Sequence, residues 1–301
     1  MANIFGIGYN FWQQIKEVSP RGIEDEANSG FKIALVGRPH DRARVREAFL
    51  TDKATLDERD EAAAHLREFD FAPDTDTAKA FAFVVYVPEN ETDAIGARGL
   101  NSVPITAPTL TKLADAMIAQ QPRLAVPLGR RFPLFRPLAS LRIIADASRT
   151  NAQIALISGL PGVFPPAAII LPASSIADVL LLTKNQLMMV MRLAATHGKK
   201  PGYTQQVKEL MGVLGAALGW RTVARELSGF IPIPGVGLAI KAAIAYSGTL
   251  AAGRSALLFY QTGRKPTPRE VQAAFKNAEA EGKQVAAEVL RDATRPKGDA
   301  K

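Results

Sequence analysis

SGFIPIPGVGLAIKAAIAYSGTLAAGRSALLFYQ, residues 228 to 261, carries two cations, Lys241 and Arg254, and no acidic side chain. Its opening decade is broken by Gly229, Pro232, Pro234, Gly235 and Gly237, which predicts a turn rather than a helix. What the turn displays is apolar: Phe230, Ile231, Pro232, Ile233, Pro234, Val236 and then Leu238. From Leu238 to Gln261 the helix breakers thin out and the residues are small and apolar on every side, which predicts a long helix that water does not surround. An apolar turn of this kind needs a covering surface.

A second segment has the same character. Thr150 to Ala177 is 28 residues without a charge, more than the ~20 that cross a bilayer as one helix. Pro161, Gly162, Pro165, Pro166 and Pro172 interrupt it, so a re-entrant or surface hairpin competes with a span. Ser158-Gly159 precedes LPGVFPP, with Phe164 at its centre, much as Ser228-Gly229 precedes FIPIPGVG. Two helical hairpins with apolar tips are expected. Ser175 and Asp178 resemble a capping start for a helix over Ile176 to Thr196 that ends at His197-Gly198, with Met188, Met189 and Met191 as core filling. A further helix is expected over Gln205 to Leu227, where Gly215 and Gly219 allow close helix approach. Beyond Gly263, Thr267, Pro268 and Glu270 give a cap, a first-turn proline and a capping box. Val271, Phe275, Ala278, Val285 and Val289 then form one apolar stripe on a charged helix.

Charge is divided unevenly. The chain of 301 residues has a net charge of +8, yet residues 1–119 sum to −6, residues 120–150 to +5 and residues 184–265 to +9. The positive excess therefore lies in or beside the most apolar part of the chain. Nucleic-acid binders set their cations in polar or aromatic surface that tracks phosphates, and here the cations are interleaved with Ala, Leu, Ile and Val. An anionic lipid surface fits better, with Lys199, Lys200, Arg221, Arg225, Lys241 and Arg254 as candidate contacts. The apolar contacts would come from Phe164 and from the Phe230–Leu238 turn.

The first half reads differently. Ile4, Phe5, Phe11, Trp12, Ile15 and Val18 have near-helical spacing over residues 1–18, and residues 20–30 read as a linker. FKIALVG (31–37) and FAFVVYV (81–87) read as buried strands, with a weaker third strand at RLAVPL (123–128). Helices are expected over Arg42–Leu50, Leu56–Phe69 and Thr109–Ala119, and the block Gly129 to Pro137 leads out of the domain. Alternating strands and helices imply a small parallel or mixed sheet. No signal sequence is evident at the amino terminus, and the chain has no cysteine.

Catalytic chemistry finds few carriers. A phosphate-binding loop needs GxxxxGK followed by Ser or Thr. Gly37 holds the first position, while Arg42, Ala43 and Arg44 replace the second glycine, the lysine and the hydroxyl. His40, His65 and His197 have no metal-ligand spacing, and no GxSxG motif is present. Asp57/Glu58 and Asp60/Glu61 read as a solvated helix face. No catalytic residue, metal, cofactor or small-molecule substrate is assigned.

IADVLLLTKNQLMMVMRLAATHG (176–198) and ELMGVLGAALGWRTVARELSGFIPIPGVGLAIKAAIAYSGTLAAGRSALLFY (209–260) resemble the bacterial domain-of-unknown-function 697 family through the TKNQ string, the IPGVG turn and the AIKAAIAY helix. The resemblance implies a membrane-associated domain without known activity, often following an Era-like GTPase domain, and makes FKIALVG look like a degenerate relative of such a domain. It carries over no nucleotide-binding residue.

The fold expected is therefore a small amino-terminal α/β sheet domain plus an all-α hydrophobic helical-hairpin module, mainly α overall. Residues 1–30 form an amphipathic helix and linker, 31–137 a degenerate GTPase-like domain, and 138–301 the basic helical domain. The function expected is a non-enzymatic scaffold or adaptor at the cytoplasmic face of the cell membrane, peripheral or integral. It binds anionic lipids and no nucleic acid, with a GTPase or a second copy as protein partner. A nucleotide-binding GTPase-like protein with an altered P-loop and a soluble, cytoplasmic helical interaction module remain open.

Overall fold

The computed structural model describes residues 19–51, 54–87, 102–104, 110–157, 173–202 and 236–294. The protein is mainly helical with a small parallel sheet. It divides into two compact units, one of Glu24–Arg142 with Ala195–Lys200, the other of Met1–Ile23, Ile143–Ala194 and Pro201–Lys301.

In the α/β unit, β1 (Ile33–Val36) pairs in parallel with β2 (Leu66–Phe69) on one side and β3 (Phe83–Tyr86) on the other, and β4 (Ser102–Pro104) extends the sheet beyond β3. The order β2-β1-β3-β4 places the two uniformly apolar strands, IALV and FVVY, at the centre, because a parallel strand covered on both faces has no polar side to show. Ile33, Leu35, Phe83 and Val85 face the larger core with Phe49, Met117, Leu128, Phe132 and Phe135, while Ala34, Val36, Val84 and Phe81 form a smaller cluster.

Four local expectations are corrected. Residues 20–30 include a helix, α1 (Pro20–Ala27), whose Ile23 and Ala27, one helical turn apart, are buried; Pro20 suits the first helical position, where no N–H partner is required. After α2 (Pro39–Leu50) comes α3 (Leu56–Ala63), which stops six residues before Phe69 because Leu66–Phe69 is drawn into the sheet as β2. Pairing with β1 overrides the helical propensity of Leu-Arg-Glu there. A short helix, α4 (Thr75–Ala78), is capped by Asp74 before β3. Past α5 (Leu110–Gln120), residues 123–128 are not a strand: a 3-10 turn (Pro122–Leu124) runs into α6 (Ala125–Arg131). Pro127 lies in the first turn of α6, where its missing N–H is harmless, whereas a strand there would lose a ladder bond. Finally, Gly129–Pro137 does not lead away. Phe132 and the 3-10 turn Pro133–Phe135 insert two fully buried phenylalanines beside Phe49.

The basic block is also internally paired. Arg136 donates to Glu58 at 2.6 Å and Arg131 donates to Glu61, so the acidic face of α3 balances these cations.

The helical unit contains the later part of α7 (Arg136–Ile157), nearly all of α8 (Ala173–Thr196), and α9 (Val236–Thr262) with α10 (Pro268–Thr294). Gly263 ends α9 with φ +72°, a conformation open to glycine at little cost, and its N–H donates to Phe259 at 2.8 Å. Thr267 and Glu270 form the expected capping box, and Arg264 grips Glu270 with two donors at 2.9 and 2.6 Å. The apolar stripe of α10 packs largely as expected: Val271, Phe275, Ala278 and Val289 are buried, and Val285 is partly buried.

Gly282 marks a close approach of α10 to α9. A Cβ there would strike Ser247 Oγ and come within 2.9 Å of the Ala243 carbonyl oxygen. Ser247 has little freedom to give way, since it donates to Ala243 at 2.8 Å and to Ala278 at 3.1 Å. Gly282→Leu is expected to destabilise the helical unit by roughly 2 kcal/mol, overpacking outweighing the gain in helix propensity. A urea titration followed by far-UV circular dichroism reads this, and an unchanged midpoint would refute the close packing.

Candidate functional site

Two places in the molecule gather chemistry. The first is the carboxyl edge of the sheet, where Gly37 follows β1. Its φ of +145° and the 2.7 Å that would separate an added Cβ from the Val87 carbonyl oxygen both restrict the position to glycine. Only Gly37 and Arg38 separate β1 from α2, so the chain has no room for the four-residue arch of a phosphate loop. Arg42, in the first turns of α2, turns back into this space. Its guanidinium donates to the Gly37 carbonyl, to Asp70 at 2.6 Å and through Nε to Glu68 at 3.3 Å, and Arg46 donates to Glu68 at 2.8 Å. The hydrogen bond that Arg42 donates to Asp70 is the largest influence holding its guanidinium in the charged form. A cation of the chain itself thus sits where a loop amide cradle would face phosphate. Sequence reading found Gly37 but missed the counter-ions Glu68 and Asp70, because it had placed them in a helix and the charged stretch after it.

The second place is a polar layer crossing the apolar helical unit. Asn185 Nδ2 donates to Asn151 Oδ1 at 2.7 Å and to the Ala147 carbonyl at 2.8 Å. Asn151 Nδ2 donates to Thr249 Oγ1 at 2.7 Å and to the Leu182 carbonyl at 3.3 Å. Gln186 Nε2 donates to the same Thr249 oxygen at 3.1 Å, and the Thr249 hydroxyl donates to the Ala245 carbonyl at 2.8 Å. Asn151 and Thr249 are fully buried. Each has its partners, so the layer avoids the cost of orphaned polar groups and fixes the register of α7, α8 and α9. Two residues of the TKNQ string, Asn185 and Gln186, therefore act as interhelical hydrogen-bonders. Asn151 and Gln153 are both amides in the stretch TNAQIAL, of which Asn151 is buried and Gln153 exposed. Of the three methionines expected as core, Met189 and Met191 are buried and Met188 is partly buried.

The apolar contact candidates fall mostly elsewhere. Phe164, Phe230, Ile231, Pro232, Ile233 and Pro234 lie outside the described residues, as do Arg221, Arg225 and the expected helix over 205–227. Val236 and Leu238 belong to the first turn of α9, and their side chains are outside the description. Lys199 and Lys200 are exposed in the α/β unit, with Lys200 4.0 Å from Glu24. In the helical unit Lys241 is exposed, whereas Arg254 donates to Glu281 at 3.2 Å, and Tyr246 donates to the same carboxylate at 2.6 Å. Burial and that carboxylate together raise the Tyr246 phenol well above its usual range.

The helices bounding the uncharged stretch carry exposed apolar side chains. Ile157, the last residue of α7, is 48% exposed, and Leu181 of α8 is 49% exposed. Among the described residues no helix is long and apolar enough to cross a membrane, and no group of three or more His, Cys, Asp or Glu is placed to hold a metal ion. Comparison of the chain with protein-family models, with curated proteins and with solved structures finds no match.

Proposed function

We propose that the protein is a non-enzymatic scaffold or adaptor that docks peripherally on an anionic membrane, at its cytoplasmic face, through the apolar segments of its helical unit. The observation that carries this reading is the pair Ile157 and Leu181, each about half exposed on helices that flank a run of residues without charge. Exposed apolar side chains beside an uncharged Pro/Gly-rich segment favour a non-aqueous neighbour. The net charge of +9 over residues 184–265 favours one that is anionic. The likeness to the domain-of-unknown-function 697 family points the same way. The α/β unit contributes no hydrolytic role in this reading, since Arg42 and its carboxylates occupy the loop where phosphate would lie.

The test is flotation with vesicles containing phosphatidylglycerol. The wild-type chain is expected to float, to lose binding as salt is raised, and to lose most of it on Ile231→Asp with Ile233→Asp. A chain that stays with the soluble fraction at low salt overturns the proposal. A rise in melting temperature on adding GTP or ATP, abolished by Gly37→Asp, would support the nucleotide-binding alternative instead.

A further inference from the structure

Helices α9 and α10 meet along two regular seams. On α9 the contacts with α10 run through Ala243, Tyr246, Ser247 and Arg254, and the buried Leu250 and Leu257 share that face by helical spacing. On α10 they run through Ala278, Glu281 and Gly282, in line with the buried Val271, Phe275 and Val289. The other side of α10 exposes Arg269, Lys276, Glu279, Lys283, Glu288 and Arg291, whereas α9 carries only Lys241 and Arg254. Helix α10 thus supplies the charged outer surface that the apolar α9 lacks.

What fastens α10 in place is thin. Its first turn is satisfied without α9, since Thr267 and Glu270 cap each other and Arg264 holds Glu270. The connection from α9, Gly263–Thr267, is largely exposed. At the close approach the facing residues are small, Ala243 and Ser247 against Ala278 and Gly282, so the centre of the seam buries few side-chain atoms. One carboxylate carries the side-chain link: Glu281 accepts from Tyr246 at 2.6 Å and from Arg254 at 3.2 Å. The Arg254 and Glu281 side chains are 37% and 42% exposed, so water already reaches this ion pair and it adds little to the hold. Arg149 and Arg254 both bring positive charge to the Tyr246 phenol, which makes the place occupied by Glu281 one suited to an anion.

We infer that α10 is a releasable cover for α9, with Glu281 standing in for a lipid phosphate at Tyr246 and Arg254, and that an anionic bilayer surface takes its place. This rests on the membrane-docking reading above and adds a gate to it. In water, opening the hairpin would bare both seams, and their apolar side chains hold it shut. At a bilayer surface both seams lie against acyl chains while the cations reach the headgroups, so the cost of opening falls. A soluble oxyanion would satisfy Tyr246 and Arg254 and leave both seams bare. A second copy exchanging its α10 would cover the seams and gain nothing over the closed hairpin. Lipid is the occupant that meets both requirements.

The chain has no cysteine, so a pair can be placed in the full-length protein without interference. A Cβ at residue 282 would lie 3.4 Å from that of Ser247, close to the roughly 3.5–4.5 Å found across disulfides, and Ser247→Cys with Gly282→Cys clamps α10 to α9 when oxidised. Flotation with vesicles of phosphatidylglycerol and phosphatidylcholine is expected to be largely lost in the oxidised protein and restored by dithiothreitol. Glu281→Gln is expected to bind these vesicles roughly tenfold more tightly than Glu279→Gln, the effect of losing a charge-assisted link. The second variant loses the same charge, but Glu279 bonds Lys283 within α10. In a separate protein, nitroxides at Lys241→Cys and Gln284→Cys, exposed positions on the two helices, are expected to move apart when the vesicles are added and to keep their spacing in inorganic phosphate. Equal flotation of the oxidised and reduced clamp, or an unchanged spacing in vesicle-bound protein, overturns the cover and leaves the docking reading standing. Spacing that lengthens in phosphate alone, or with rising protein concentration, makes a soluble anion or a second copy the occupant and overturns the lipid assignment. If neither the wild type nor the reduced clamp floats, the docking reading fails and the cover with it.

Discussion

Phe135→Ala is expected to cost the α/β unit about 3–5 kcal/mol, the range for truncating a fully enclosed phenylalanine. In a unit of this size that is a fall in melting temperature of roughly 10–20 °C. Phe135 has no exposure and its ring meets Phe49 at 5.2 Å and 79°, and Phe132 at 6.0 Å and 52°. Phe49 and Phe132 in turn meet edge to face at 5.4 Å. Removing the central ring leaves a void lined by two aromatic faces that belong to α2 and to the turn after α6, and neither can move inward without dragging its backbone. The sheet stands behind them, with Ile33, Leu35 and Phe83 at zero exposure. Scanning calorimetry measures the loss. A shift of about 2 °C or less would mean that this aromatic cluster is not the core of the unit.

That cluster also shows how far the sequence was legible. The strand IALV and the strand FVVY announce themselves because four consecutive buried apolar residues between polar neighbours have few other uses. Phe132 and Phe135 are harder to place. They sit among Arg130, Arg131, Pro133, Arg136 and Pro137, a composition that reads as a basic linker. What converts it into core is tertiary: Glu58 and Glu61 of α3 bind Arg136 and Arg131, and this lets the two phenylalanines between those arginines turn inward. The same acidic residues read from sequence as a solvated face. Charge on both segments was visible, but its complementarity lay 70 or more residues apart and periodicity carries no such information.

In the helical unit local signals were stronger. The capping box at Thr267 and Glu270, the glycine stop at Gly263 and the stripe from Val271 to Val289 are encoded within a turn or two of one another, and each is found where the pattern put it. The polar layer was not legible as a layer. Asn185 and Gln186 stood out within TKNQ, yet their partners Asn151 and Thr249 lie 34 and 63 residues away. A buried amide in an apolar helix is informative only once its partner is known. The candidate docking residues at 164 and 230–234 lie outside the described residues, and the membrane reading rests on their chemistry and on the half-exposed Ile157 and Leu181.

His197 should make the α/β unit lose stability in acid. The side chain follows α8, shares a 3.2 Å hydrogen bond through Nε2 with the fully buried Ser140, and lies near the cations Arg136 and Lys199. Burial first, then those two charges, lower its pKa from the ordinary 6.5 to about 4. A depressed histidine pKa means that the folded state refuses a proton that the unfolded state accepts. The native contribution is therefore fully present above pH 6.5, is lost progressively as pH falls from 6.5, and stops falling near pH 4, where folded His197 also protonates. The loss over that window amounts to at most about 3 kcal/mol. Carboxylates titrate in the lower part of the same range, so the wild type is compared with His197→Gln, which keeps a hydrogen-bonding group for Ser140 and carries no titratable proton. Urea unfolding monitored between pH 7 and 4 should show a steeper decline in the wild type, with most of the difference accumulated above pH 5, before Glu and Asp side chains dominate. Parallel curves for the two proteins would mean that His197 accepts its proton in the folded state and that the enclosure by Ser140 and Arg136 is too loose to exclude a charge.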